Sequence, residues 1–281
     1  MLELGRGAVS KMQVALGEPA QYHFRLDDQL HELNGFIGKD LRLEFLGEIN
    51  CTHCDRQTKK SYAQGYCWPC FKALARCDTC IMSPEKCHYD AGTCREPEWA
   101  QQYCMTDHFV YLANSTGVKV GITRGNQVPT RWLDQGAVQA LPIFRVATRQ
   151  QSGFVEDVLR SQVNDRTNWR ALLRGDVEPV DLVERREHLL DSCAQQLQIL
   201  QQRFGLQAIQ PISGVDVIEI SYPVESYPSK ITSFNLDKEP VAEGTLIGIK
   251  GQYLLFDTGV INIRKYTAYQ LALSVNDSVA V

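Results

Sequence analysis

No stretch of the 281-residue sequence approaches the 18 or more consecutive apolar residues of a membrane-crossing helix, so no membrane association is expected. The N-terminal run MLELGRGAVSKMQVALG lacks the continuous apolar centre of a secretory signal, which predicts a cytoplasmic protein. Low-complexity tracts and strong internal repeats are missing too. So is any large excess of one charge: 29 basic and 33 acidic side chains leave a net charge of −4. That balance gives no global electrostatic footprint for nucleic acid. The middle of the chain is nevertheless neutral to slightly basic between two acidic ends, which permits a local phosphate-binding face. Apolar residues at 44% and charged residues at 22% are ordinary globular usage, and the length suits about two domains.

Cysteine, by contrast, is concentrated. Nine of the ten cysteines fall between Cys51 and Cys104. Disulfides are rare in a reducing compartment, so this density points to metal. CTHC at Cys51–Cys54 and CWPC at Cys67–Cys70 are two C-x2-C pairs, each able to clasp one face of a tetrahedral ion from a tight turn. The second pair follows Gly65 and opens a predicted helix at Phe71–Ala75, an order that resembles a treble-clef or ribbon finger. His53 reads as a solvated loop residue. A second ion is expected from Cys77, Cys80, Cys87 and Cys94, with Cys104 as the substitute for one of the last two and His88 and His108 nearby. Both sets are filled by protein ligands, which implies structural zinc, one or two ions. Few aliphatics lie in this segment, so metal must replace much of the missing core.

The pattern elsewhere predicts an α+β multidomain chain: an N-terminal β segment (1–50), a zinc-binding region (51–107), an α/β domain with a long helix (108–210) and a C-terminal β meander or small barrel (211–281). Leu41–Phe45 alternates with period two, as a half-buried strand does. Strands are expected at Phe109–Ala113, Val118–Thr123 and Ile143–Ala147, with helices starting near Pro129 and Gly153. A single amphipathic helix is expected from Leu182 to Phe204, capped by Asp181 and Gly205, with Cys193 an inert member of its apolar stripe. Val215, Val217 and Ile220 lead into the β region, where Tyr253–Phe256 and Val260–Ile263 flank the turn Asp257-Thr258-Gly259.

The segment HFVYLANSTGVKVGITRGNQVPTRWLDQGA places Tyr111 in a first strand, Lys119-Val120-Gly121-Ile122-Thr123 in a second and Arg131 at a helix start, with Glu156 in a later helix. This order, over residues 108–170, resembles the GIY-YIG nuclease superfamily, in the branch whose second motif reads K-[I/V]-G-x-T. The resemblance implies a Mg2+-dependent phosphodiester endonuclease acting on DNA or RNA. Tyr111 would orient or deprotonate the attacking water, Arg131 would stabilise phosphoryl charge, and Glu156 would hold the Mg2+. The first motif lacks its glycine, and Lys119 replaces the second-motif tyrosine, a cation suited to phosphate contact but a poor base. Asn168-Trp169 is a further, weaker match. Over nearly its whole length the chain resembles a bacterial zinc-finger family of unknown function, which implies architecture but no activity. The bland alternatives are a strand aromatic at Tyr111, an Arg131–Asp134 pair, a Glu156–Arg160 helix pair and a solvated Lys119. On those readings the chain is a nucleic-acid-binding or protein-interaction scaffold without turnover.

Overall fold

In the computed structural model, residues 1–163 and 168–276 are described. The likeness at 108–170 therefore includes four positions, 164–167, outside the described residues.

A six-stranded sheet runs, in spatial order, Leu2–Ala8, Tyr269–Asn276, Asp40–Ile49, Val241–Lys250, Tyr253–Phe256 and Val260–Asn262. The N-terminal segment and the C-terminal β region are thus interleaved in one sheet, with Leu43 paired to both Ala242 and Leu273. Leu41 and Leu43 are fully buried, as the period-two alternation anticipates. The sheet stays open, so the barrel alternative fails, and the C-terminal strands form a meander completed by strands from the other end of the chain. A small antiparallel sheet of Gln13–Ala15, Gln21–Leu26 and Gln29–Glu32 packs Tyr22 and Phe24 into the same core.

The second large sheet holds Ile218–Glu219, Gln139–Val146, His108–Asn114 and Val118–Arg124 in that order, and Ile209–Pro211 also pairs with Gln139–Val146. The residues near 209–220 therefore join the α/β unit, against the expectation that they lead into the C-terminal β region. Strand His108–Asn114 is covered on both faces. Val110 and Leu112 pack with Val155, Leu159 and Leu189 beneath the helices, whereas Tyr111 and Ala113 belong to the core shared with the six-stranded sheet. A strand buried on both sides reads as a nearly continuous apolar run, as FVYLA does.

Helix Arg149–Arg160 begins four residues before the expected Gly153, at a capping box in which Thr148 accepts from the Gln151 amide and the Gln151 side chain bonds back to the Thr148 amide. Gly153 is instead a contact residue: a Cβ there would stand 2.7 Å from the Glu85 nitrogen and 2.8 Å from Pro84 Cβ. The absent side chain lets the helix lie directly on the cysteine-rich segment. The expected long helix is two, Leu182–Ser192 and Ala194–Phe204, interrupted at Cys193, whose φ of −108° and ψ of 9° leave the helical region. Cys193 is buried with Leu189 and Leu197 against helix Arg149–Arg160, so the apolar stripe continues across the break. Asp181 caps the first helix through the Val183 and Glu184 amides.

Candidate zinc centre and arginine cleft

Cys51, Cys54, Cys67 and Cys70 bring their sulfurs within 4.8 Å of one another, a spacing that suits one tetrahedral zinc. Local backbone rules explain the convergence. The Asp55 amide donates to the Cys51 carbonyl at 2.8 Å, and Asp55 takes a φ of +56° to close the first turn. Gly65 (φ +137°) lies against Thr52, whose amide it receives at 2.8 Å, and this brings the second turn beside the first. Cys67 then caps helix Trp68–Ala73, and Cys70 follows in its first turn. Burial opposes ionisation of Cys51, but amides of Cys67, Cys54 and His53 directed at its sulfur outweigh that and bring the thiol down to about 6. Cys70 moves the other way, raised by desolvation and by its hydrogen-bonded cysteine neighbours. His53 stays exposed and outside this group.

In the second cysteine-rich stretch one group of candidate ligands comes together among the described residues. Asp78, Cys80 and His88 place ligand atoms within 4.8 Å of one another. Asp78 is already committed, however: its carboxylate binds Arg95 Nε at 2.7 Å and accepts the Thr79 amide at 2.6 Å. Burial raises Cys80 to about 11, and the charges of Asp78, Cys87, Cys104 and Cys94 add to it. Cys104 is raised by burial and by Cys87 and Cys94 in turn. Cys77 has another neighbourhood, with Arg76, Arg95, Cys51 and Glu96 around it. Cys80 thus feels the charges of Cys87, Cys94 and Cys104, whereas Cys77 feels that of Cys51. His108 is buried, donates Nδ1–H to the Thr106 carbonyl at 2.7 Å and is held neutral, its pKa lowered to about 4 by burial, Arg149 and Arg124.

A cleft of about 440 Å³ lies where the α/β unit, the cysteine-rich segment and the two ends of the chain meet. Lys11, Arg124, Arg131, Arg149 and Arg264 line it, with Asp134 and Glu156 as its only carboxylates among the described residues. Asp134 is spoken for by Lys11 Nζ at 2.6 Å and Gln252 Nε2 at 2.9 Å. Arg149 donates one Nη to the Ile81 carbonyl at 2.6 Å, while its buried Nε has no partner. Its pKa is lowered by burial, and Arg131 and Arg124 add to that effect. Arg264 is lowered by burial and by Arg131. Cations that disfavour one another's charge at close range are stabilised when an anion enters between them.

Three of the four residues of the GIY-YIG resemblance, Tyr111, Arg131 and Glu156, act on one another here. Arg131 and Glu156 line the cleft. Tyr111 lies beneath it: its ring meets Trp132 at 5.9 Å, its hydroxyl donates to Gln135 Oε1 at 2.8 Å, and burial pushes its pKa up to about 12 against the pull of Arg131. Lys119 pairs with Ala113 two register positions from Tyr111 and Gly121, and is not among the described residues that line the cleft. Asn168 caps helix Trp169–Arg174 through the Arg170 and Ala171 amides, while Trp169 stacks on Tyr253 at 6.3 Å. Sequence reasoning missed Arg124, Arg149, Lys11 and Arg264. Arg124 directly follows the KVGIT run, but Lys11 and Arg264 carry no local signal at all.

The family model of a protein of unknown function, DUF2797, matches residues 38–271. The chain belongs to the DUF2797 family. That match spans the cysteine-rich segment and every cleft residue except Lys11. No curated protein and no solved structure matches the chain. Among the described residues of this DUF2797 protein, no helix is long and apolar enough to cross a membrane.

Proposed function

We propose that the arginine cleft binds the phosphodiester backbone of a nucleic acid, in a protein stapled by structural zinc. The observation that carries this reading is the meeting of five cations with only two carboxylates, one of them already paired with Lys11. Guanidinium groups bind phosphate through paired N–H donors in a fixed plane, and several in one cleft can engage successive phosphates. Arg149 has a buried, unpartnered Nε at the cleft, so a phosphate oxygen would satisfy a donor that the fold leaves open.

Cleavage is the second reading, supported by Glu156 standing in the same cleft as Arg131. The donor set for Mg2+ is thin: one carboxylate surrounded by cations holds a divalent ion poorly unless substrate phosphate supplies further ligands. Tyr111, its pKa raised to about 12 by burial, keeps its proton at neutral pH and is not available as a general base. The geometry therefore favours binding over turnover. For the second cysteine group we propose Cys80, Cys87, Cys94 and Cys104 as zinc ligands, with Cys77 outside the set, since Cys87 and Cys94 act electrostatically on both Cys80 and Cys104.

Fluorescence anisotropy with labelled single- and double-stranded DNA and RNA over a range of salt tests the binding reading. Arg131→Gln and Arg149→Gln are each expected to weaken binding and to reduce the slope of log K against log salt by about 0.7–0.9. The same substrates with Mg2+ or Mn2+ test cleavage, which Glu156→Gln should abolish while binding is retained. Absence of binding to every substrate at low salt would leave the interaction-scaffold reading standing. Cleavage untouched by Glu156→Gln would put the catalytic site elsewhere.

A further inference from the structure

Three aromatic rings stand together on the zinc knuckle. Tyr62 and Trp68 have centroids 5.1 Å apart, Tyr62 and Phe71 5.8 Å, and Trp68 and Phe71 5.5 Å with planes only 28° apart. A segment poor in aliphatics can use such a trio as a small core, and Tyr62 and Phe71 are half-buried, as that role requires. Trp68 departs from it with 52% of its surface exposed, although burying an indole is strongly favourable. Cations cover the rings: Lys60 Nζ lies 5.2 Å from the Tyr62 centroid and Lys72 Nζ 5.7 Å from that of Trp68. Arg56 and Lys59 are exposed nearby, and Asp55 is the one acidic residue from 51 to 74. Even with the net negative charge of a four-thiolate zinc, this face does not turn acidic.

The trio is physically continuous with the cleft. Tyr62 and Tyr66 exchange two backbone hydrogen bonds of 2.8 and 2.9 Å, closing a turn in which Ala63 and Gln64 take φ values of +43° and +63°. Gln64 at that turn accepts from Arg264 Nε at 2.6 Å, and Arg264 lines the arginine cleft. One tight hairpin therefore presents an aromatic ring at its base and touches a phosphate-binding cation at its tip.

We infer that Trp68, with Tyr62 and the lysines over both rings, is a stacking platform for unpaired nucleobases, receiving a single strand whose backbone continues into the arginine cleft. The inference rests on the phosphodiester reading of the cleft and adds the strand state of the partner. Every base offers a π-face, so stacking on an exposed indole tolerates any sequence, while lysines beside the rings meet the adjoining phosphates. A duplex keeps its base faces covered by their neighbours and cannot use such a platform.

Anisotropy titrations of the full-length, zinc-loaded protein with labelled oligo(dT), oligo(U) and a duplex of equal length test this. Trp68→Ala should weaken binding to both oligonucleotides about tenfold. Duplex binding should stay within about twofold, because no base face is available to lose. Trp68→Phe should retain most single-strand affinity. Should Trp68→Ala lose zinc, the exposed pair Lys60→Glu with Lys72→Glu replaces it, with the same selective loss expected in zinc-replete protein. An unchanged single-strand affinity, or an equal loss on duplex, overturns the platform. If the wild type binds duplex but neither oligonucleotide, the platform falls and the cleft reading stands. If it binds none of the three, both fall.

Discussion

Gly121→Ala is the substitution for which the structure gives the sharpest expectation. Gly121 pairs across the strands with Tyr111, and a Cβ there would sit 2.6 Å from Tyr111 Cζ, 2.7 Å from its hydroxyl oxygen and 2.9 Å from Cε2. The ring has nowhere simple to go. It is fully buried, edge-on to Trp132, and its hydroxyl is anchored on Gln135. Overpacking of this kind costs about 1–3 kcal/mol. Restricting the unfolded chain by replacing glycine returns about 0.4–1 kcal/mol, so a net loss of about 1.3 kcal/mol is expected. Denaturant midpoints of wild type, Gly121→Ala, Tyr111→Leu and the double variant form the assay. Leucine ends short of the colliding ring atoms, so in the Tyr111→Leu background Gly121→Ala should cost under about 0.5 kcal/mol. A Gly121→Ala protein as stable as the wild type, or one equally destabilised in both backgrounds, would refute the steric account. The glycine of KVGIT would then need a reason other than clearance for Tyr111.

Metal analysis of protein purified under reducing conditions should find about two zinc ions per chain, the number set by two four-ligand groups. Cys51→Ser or Cys70→Ser should remove one ion and much of the soluble yield, since metal binding here supplies folding free energy. Cys104→Ser should remove the other ion and Cys77→Ser should keep both; the reverse result would return Cys77 to the ligand set. His108, lowered to about 4 from an ordinary 6.5, should make stability fall as pH drops between those values, because the unfolded state binds a proton that the folded state refuses. The loss is at most about 3 kcal/mol across that window. His108→Gln should flatten the fall relative to wild type in pH-dependent denaturant melts, and an identical pH profile in the two proteins would show that His108 is not its source.

Much of the local structure was legible in the sequence. The alternation of Leu41–Phe45, the strands around Tyr111 and Lys119, the helix at Thr130 and the meander at Tyr253–Asn262 all follow from patterns within a few residues. The four-cysteine cluster that could hold zinc was legible for the same reason: two C-x2-C pairs state their own geometry. The start of helix Arg149–Arg160 was readable too, since Thr148-x-x-Gln151 is a capping signal, but the apolar run behind it drew attention to Gly153. The break at Cys193 was not, because the apolar stripe continues through it unaltered.

Periodicity and ligand spacing are short-range properties, and by themselves they determined the element types, the knuckle and the cysteines available for metal. Which strands pair is a long-range outcome of burial and register, so only the tertiary structure decided that Leu2–Ala8 and Asp40–Ile49 build one sheet with the strands of residues 241–276. The same holds for the cleft. Lys11 and Arg264 are unremarkable in their own segments, and they line one cation-rich cleft only because a shared core brings them to Arg131 and Arg149. Tertiary packing also brought three residues of the family resemblance together, with Arg131 and Glu156 lining the cleft and both acting on the buried Tyr111 hydroxyl. Local sequence chooses chemical groups, but desolvation and proximity, which set what those groups can do, belong to the fold.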